Sequence, residues 1–139
     1  MRRTDQRRAA VFALYQEEIA RRPAPGLLEH DATPFARELV VGVEGAREQL
    51  DGLIERHSVG WPLDRIAPLE RSILRVALYE LLHRDDVPAE VAIDEAVEFA
   101  KELCGTDAPG FLNGILAAAH RGQALDSDAD QVPERPAEA

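Results

Sequence analysis

The apolar residues of this chain recur at intervals of three and four and never alternate over the length of a strand, a pattern that predicts helices throughout. Ala9, Phe12, Ala13, Gln16 and Ile19 set one such stripe between about Thr4 and Arg21, with Leu14 and Tyr15 flanking it. Pro23, Pro25 and Gly26 break the pattern. Thr33-Pro34 restarts it, with Thr as N-cap and Pro in the first turn. Phe35, Leu39, Val43, Leu50, Leu53 and Ile54 then carry a stripe to about His57, and Gly42 and Gly45 divide it into two helices. The stretch Val59-Gly60-Trp61-Pro62-Leu63 reads as a connector, with Trp61 expected as a buried plug.

A further helix is predicted from near Pro68 to His83, with Leu69, Ile73, Val76, Ala77 and Leu81 on one face. After the turn Asp85-Asp86-Val87-Pro88, residues 89–104 place Ile93, Ala96, Val97, Ala100 and Leu103 inward. Gly105 suits the position just past a helix end. Asp107 and Pro109 open the last helix, expected to stop near Gly122. The fold class is therefore all-α, with five to seven helices in two small bundles. Residues 1–60 and 61–122 form the two subdomains, and 123–139 read as a disordered acidic tail.

Composition agrees with helix: Ala, Leu, Glu and Arg dominate, while β-branched and aromatic residues are sparse. The single cysteine, Cys104, cannot form an internal bridge and points to a reducing compartment. No apolar run approaches the roughly 20 residues that span a bilayer, and Met1-Arg2-Arg3-Thr4-Asp5 has no apolar segment behind it. A cytoplasmic protein without a membrane partner is expected. The net charge of −10 argues against coating nucleic acid by charge alone. Its distribution is uneven: Arg2, Arg3, Arg7 and Arg8 crowd the start, and acids crowd the end.

Catalytic chemistry does not assemble. His30, His57, His83 and His120 are scattered, and Cys104 has no second ligand at metal spacing. No Gly-rich phosphate loop and no serine nucleophile in a recognisable turn occur. No enzyme, cofactor or metal is expected. Asp94, Glu95, Glu98 and Glu102 fall on helical spacing and read as a solvated face. Cys104 reads as an inert core thiol. The four arginines are harder to dismiss, because they lie where the helix macrodipole disfavours cations by about 0.3–1 kcal/mol each. Phosphate binding or a frayed terminus would each explain them, and Tyr15, two turns on, offers a ring to an unpaired base or to the core.

Several strings stand in a telling order: Arg7-Arg8-Ala9-Ala10-Val11-Phe12-Ala13-Leu14-Tyr15-Gln16, Trp61-Pro62-Leu63-Asp64-Arg65-Ile66, Leu74-Arg75-Val76-Ala77-Leu78-Tyr79-Glu80-Leu81-Leu82, Val87 to Lys101, and Phe111-Leu112-Asn113-Gly114-Ile115-Leu116. Together they resemble the NusB family of bacterial transcription antitermination factors, over residues 3 to about 121. The resemblance implies two roughly perpendicular helical bundles and no catalysis. It also implies binding of the single-stranded boxA element of ribosomal RNA transcripts, jointly with the small-subunit ribosomal protein that doubles as NusE, within an RNA polymerase antitermination complex. Carried over by position, Arg3, Arg7 and Tyr15 would face RNA from the first helix, and Phe111 and Asn113 from the last; Arg2 and Arg8, singled out by the charge pattern, are candidate RNA contacts beside them. Glu70 would contact the protein partner, with Arg75, Tyr79 and Glu80 as neighbours.

The chain departs from that family at Thr4 and Asp5, where arginines are common, and at Gly110, where a basic residue often stands. Weak binding to RNA alone and reliance on the partner are therefore expected. Two alternatives remain: a homodimeric interaction scaffold that buries the basic helix, and a stand-alone RNA-binding module of ribosomal RNA modification.

Overall fold

The computed structural model describes the backbone of residues 2–23 and 33–131, and the side chains among these up to residue 123. Six α-helices and one 3-10 turn follow in order: α1 (Arg3–Ala20), α2 (Pro34–Gly45), α3 (Arg47–His57), the turn Leu63–Arg65, α4 (Pro68–His83), α5 (Ala89–Leu103) and α6 (Ala108–Gln131). No strand occurs among the described residues.

Proline marks most of the helix starts. Pro34 and Pro68 sit in the first turns of α2 and α4, Pro88 directly precedes α5, and Pro109 is the second residue of α6. A first turn has no intrahelical use for the missing N–H. Thr33 takes the N-cap position of α2, but its hydroxyl bonds Gln6 of α1 instead of the helix backbone. Between α2 and α3 the chain pauses at Ala46, whose N–H reaches the carbonyls of Gly42 (3.0 Å) and Val43 (3.2 Å). The end of α1 uses no glycine: Arg21 adopts φ 58° and its N–H closes on the Glu17 carbonyl at 2.8 Å. Pro25 and Gly26, expected as breakers, lie outside the described residues.

Helix α4 organises the packing. It lies against all five other helices, and its residues Ser72 to Leu78 are buried on every side, the charged Arg75 among them. Leu14 of α1, Leu39 of α2, Leu50 and Ile54 of α3, Leu74 and Leu78 of α4, and Leu112 and Leu116 of α6 are fully enclosed. Each such side chain contributes about 1.5–3 kcal/mol relative to exposure. From α5, Ala96 and Ala100 point inward as expected, joined by Ala92 and Phe99.

Three expectations need correction. The inward face of α1 is Gln6, Arg7, Ala10, Val11, Ala13 and Leu14; of the expected stripe Ala13 is inside, but Phe12 is only half-buried and Ile19 is 61% exposed. The cause is a charged residue, Arg7, that the apolar pattern could not place inside. Trp61 is not a plug but is 52% exposed. The turn before it is closed from below, where the buried Ser58 hydroxyl donates to the Trp61 carbonyl at 3.0 Å and Gly60 takes φ 82°. That geometry turns the indole outward. Helix α6 does not stop near Gly122 but continues through Gln131, since no proline interrupts the chain before Pro133. The rest of the expected tail, 132–139, lies outside the described residues.

One glycine is dictated by packing. A Cβ on Gly42 would fall 2.1 Å from Tyr79 Cζ, so α2 can approach α4 only because that atom is missing. Gly42→Ala is expected to destabilise the fold by about 1–3 kcal/mol through overpacking. Gly52→Ala, where an added Cβ meets nothing within 4 Å, is expected to stabilise by about 1 kcal/mol through helix propensity. Urea melts would measure both, and a Gly42→Ala protein as stable as the parent would refute the Tyr79 contact.

Candidate nucleic-acid interface

The start of α1 is where the sequence concentrates cations, and the structure gives each a different fate. Arg2 is exposed, with Asp5 at 3.8 Å. Arg3 lies 4.2 Å above the Phe35 ring and donates to Asp86 at 3.0 Å. Arg84 covers the same ring at 5.1 Å and donates twice to Asp86, at 3.0 and 3.1 Å. Arg8 lies 5.3 Å over Phe99 and pairs with Glu102 of α5.

Arg7 is different in kind, since only 4% of it is exposed. Its Nε donates to both Glu80 oxygens at 2.8 and 3.0 Å, its Nη2 donates to Glu80 at 2.9 Å, and its Nη1 donates to Glu95 at 2.9 Å. Burial pulls the guanidinium pKa down, but the hydrogen bonds and charges of Glu80 and Glu95 outweigh it, so the net shift is upward. Thr4 completes the group by donating its hydroxyl to Glu95 at 2.6 Å. The acids of α5 are therefore not simply a solvated face: Glu95 and Glu102 are the partners of α1.

The same helix is tied down at its other end. Glu18 accepts from Arg71 and Arg75 of α4, and Arg75, 3% exposed, also grips Asp51 of α3 at 2.7 and 3.1 Å. Arg71 donates to the Leu63 carbonyl at 3.1 Å, which pins the 3-10 turn. Hence Arg75 and Glu80, expected beside a protein partner, face the interior and join helices to one another. Tyr79 is half-buried against Gly42, 5.3 Å from the His83 ring. Glu70 lines an open cleft beside Trp61 and Phe111, and burial pushes its carboxyl pKa up.

That cleft, about 490 Å³, is lined by Trp61, Arg65, Glu70, Asp107 and Phe111 among others. Phe111 meets Trp61 edge to face, with centroids 6.4 Å apart. Asn113 is exposed one position beyond the buried Leu112, and a Cβ at the exposed Gly114 would meet nothing within 4 Å, so tight packing is not the reason for that glycine. Tyr15 is half-buried. The structure thus gathers Arg3, Arg7 and Arg8 at one end of α1, sets Phe111 with Glu70 in the cleft, and encloses Arg75 and Glu80. Sequence reasoning missed Phe35, Arg84, Asp86, Glu102 and Trp61. Cys104 is half-buried, and burial followed by the Glu70 charge raises its thiol pKa, as suits an inert thiol.

Residues 4–121 match the NusB family. The transcription antitermination protein NusB of Rubrobacter xylanophilus is 43% identical over 125 residues, which cover 86% of this chain and 90% of that protein. The protein of the same name from Myxococcus xanthus is 42% identical over 128 residues, 83% of this chain and 91% of that one. Among solved structures, NusB of T. maritima superposes with a TM-score of 0.84 at 32% identity, covering 94% of this chain and 98% of that chain. A structure of antitermination factors NusB and NusE in complex with dsRNA gives 0.77 at 25% identity, over 86% and 96%.

Removing one partner of a buried pair strands the other charge, at a cost of about 3–5 kcal/mol. Glu80→Ala is expected to lose about 3 kcal/mol, since Glu95 still holds part of Arg7, and Arg7→Met with Glu80→Leu should recover most of it. Denaturant melts decide this; a mild Glu80→Ala phenotype would mean Arg7 is not sealed in. The Arg84 and Arg3 guanidiniums hold Asp86 down at about 2. Its folded pKa lies below the unfolded value, so its contribution to stability is complete above about pH 4 and disappears as pH falls through about 2. An NMR titration of the Asp86 carboxyl should show that midpoint, and Arg84→Ala should move it upward.

Proposed function

The chain belongs to the NusB family, and on that footing we propose that it is a transcription antitermination factor that binds boxA-type single-stranded RNA of ribosomal RNA transcripts together with a NusE-type ribosomal protein. It acts in the cytoplasm, within the RNA polymerase antitermination complex, by binding rather than catalysis. The observation that supports this most is the family match over residues 4–121, nearly the whole described fold. A solved relative over most of that length is an assembly of NusB and NusE with dsRNA. No helix among the described residues is long and apolar enough to cross a membrane.

The side chains divide the labour. Arg2, Arg3 and Arg8 reach solvent at the start of α1 and are the phosphate contacts. Arg7, enclosed by its own α4 and α5, positions them instead of touching RNA. Tyr15, Phe111 and Asn113 serve the bases, aromatic faces being the common means of holding unpaired ones. Glu70 presents a carboxylate to the protein partner at the mouth of its cleft, while Arg75, Tyr79 and Glu80 act on that surface by fixing α4.

Fluorescence anisotropy with boxA-type and scrambled RNA, with and without the NusE-type protein, tests this. Selective binding strengthened by the partner is expected. Arg3→Ala with Arg8→Ala should weaken it about tenfold and reduce the salt slope by roughly 0.7 for each arginine. Equal affinity for the two RNAs with the partner present would defeat the reading.

A further inference from the structure

Both half-exposed arginines at the start of α1 already hold a carboxylate drawn from elsewhere in the chain. Arg3 donates to Asp86 of the α4–α5 turn, and Arg8 donates through both terminal nitrogens to Glu102 of α5. Each guanidinium is held from beneath by a ring, Phe35 under Arg3 and Phe99 under Arg8. The side chains of Asp86 and Glu102 are 49% and 50% exposed, against 1% for Glu80, which seals Arg7. The inner pair is sealed from water; the outer pairs face it and are open to exchange.

A carboxylate and a phosphate use the same planar fork of donors on arginine. Asp86 and Glu102 therefore stand where RNA phosphates would have to bind. Room for exchange exists beside Arg8, where an open cleft of about 450 Å³ is bordered by Thr4, Glu98, Phe99 and Glu102. Counting the paired neighbours, five arginines (2, 3, 7, 8 and 84) meet six carboxylates (Asp5, Glu38, Glu80, Asp86, Glu95 and Glu102), so the basic end of α1 is not electropositive as a whole.

We propose that Asp86 and Glu102 are selectivity residues of the RNA surface: they fill the phosphate positions on Arg3 and Arg8 in the free protein, so that only RNA held by further base or partner contacts displaces them. This rests on the RNA-binding reading above. At Arg8 displacement trades one fork for an equivalent one and leaves Glu102 beside the incoming phosphate, while at Arg3 it replaces a single hydrogen bond and leaves Asp86, still held by Arg84, beside that phosphate. RNA attracted by charge alone gains little from that exchange and is rejected. Protonation does not relieve the block near neutral pH, because hydrogen bonds from the arginines hold both carboxyls below their ordinary values.

The test uses the full chain with boxA-type and scrambled RNA of equal length, titrated at several salt concentrations by anisotropy. Glu102→Gln and Asp86→Asn should each tighten binding about two- to fivefold, the range of one exposed ion pair. The gain should be larger for scrambled RNA, so selectivity falls. The salt slope should steepen by about 0.7 for each arginine set free. Adding Arg8→Ala to Glu102→Gln should abolish that gain, which shows that the effect passes through Arg8. Thermal melts confirm that the variants are folded. If Glu102→Gln and Asp86→Asn leave affinity, selectivity and slope unchanged while Arg8→Ala weakens binding, the block does not exist and the RNA reading survives. If neither the parent nor any variant prefers boxA-type RNA even with the NusE-type protein, both readings fall together.

Discussion

A guanidinium taken out of water must be met by acids in fixed positions, and Arg7 places that demand at the junction of three helices. Desolvating one ion costs several kcal/mol even after relaxation. Glu80 of α4 meets it with three hydrogen bonds and Glu95 of α5 with a fourth. Such a pair adds little net stability over a well-packed apolar substitute, yet it tolerates few alternatives. Sliding α1 by one turn, about 5.4 Å, would leave a buried cation and a buried carboxylate without partners. A register enforced in this way is the condition for everything displayed at the N-terminal end of α1.

The charges at the far end of the helix reinforce the same arrangement. Arg7 near the start of α1 meets Glu80 near the end of α4, while Glu18 near the end of α1 meets Arg71 and Arg75 in the first half of α4. Rising numbers in one helix pair with falling numbers in the other, so the two run antiparallel. Within its own helix each of these outermost charges opposes the macrodipole: a cation early in α1, an acid late in α4. Across the pair the opposition is relieved, since the cationic start of α1 lies beside the negative end of α4. What reads locally as a helix with misplaced charges is consistent once its neighbour is included.

That difference explains what could be read from the chain without coordinates. Helix starts were legible because prolines, small residues and apolar spacing act within a few residues; α4 begins at Pro68 and ends at His83 as its pattern implies, whereas the end of α6, with no proline to stop it near Gly122, was not. The inward face of α1 was not, because Arg7 completes the stripe Ala10, Val11, Leu14 only when its partners are known. Those partners stand 73 and 88 positions away, beyond any periodicity. Trp61 was misjudged for a related reason: bulk suggests burial, but the Ser58–Trp61 turn decides direction. Of the candidate site, the arginines and Phe111 were visible as residue types, whereas the acids that hold the arginines, Asp86 and Glu102, were indistinguishable from solvated charge.

A chain of net charge −10 cannot gather RNA by its long-range field. On the proposed reading its affinity comes from contacts at short range, within about a Debye length of 8–10 Å, with donors supplied by the start of α1 while the surrounding acids cancel their reach. Under the proposed exchange such a surface is silent to a passing polyanion and responsive to one already positioned by base stacking or by a bound protein. The buried Arg7 fixes where the donors stand, and the exposed carboxylates fix how readily they are given up. Selectivity on this helix then follows from the contrast between one ion pair sealed from water and two that are open to it, rather than from the number of arginines.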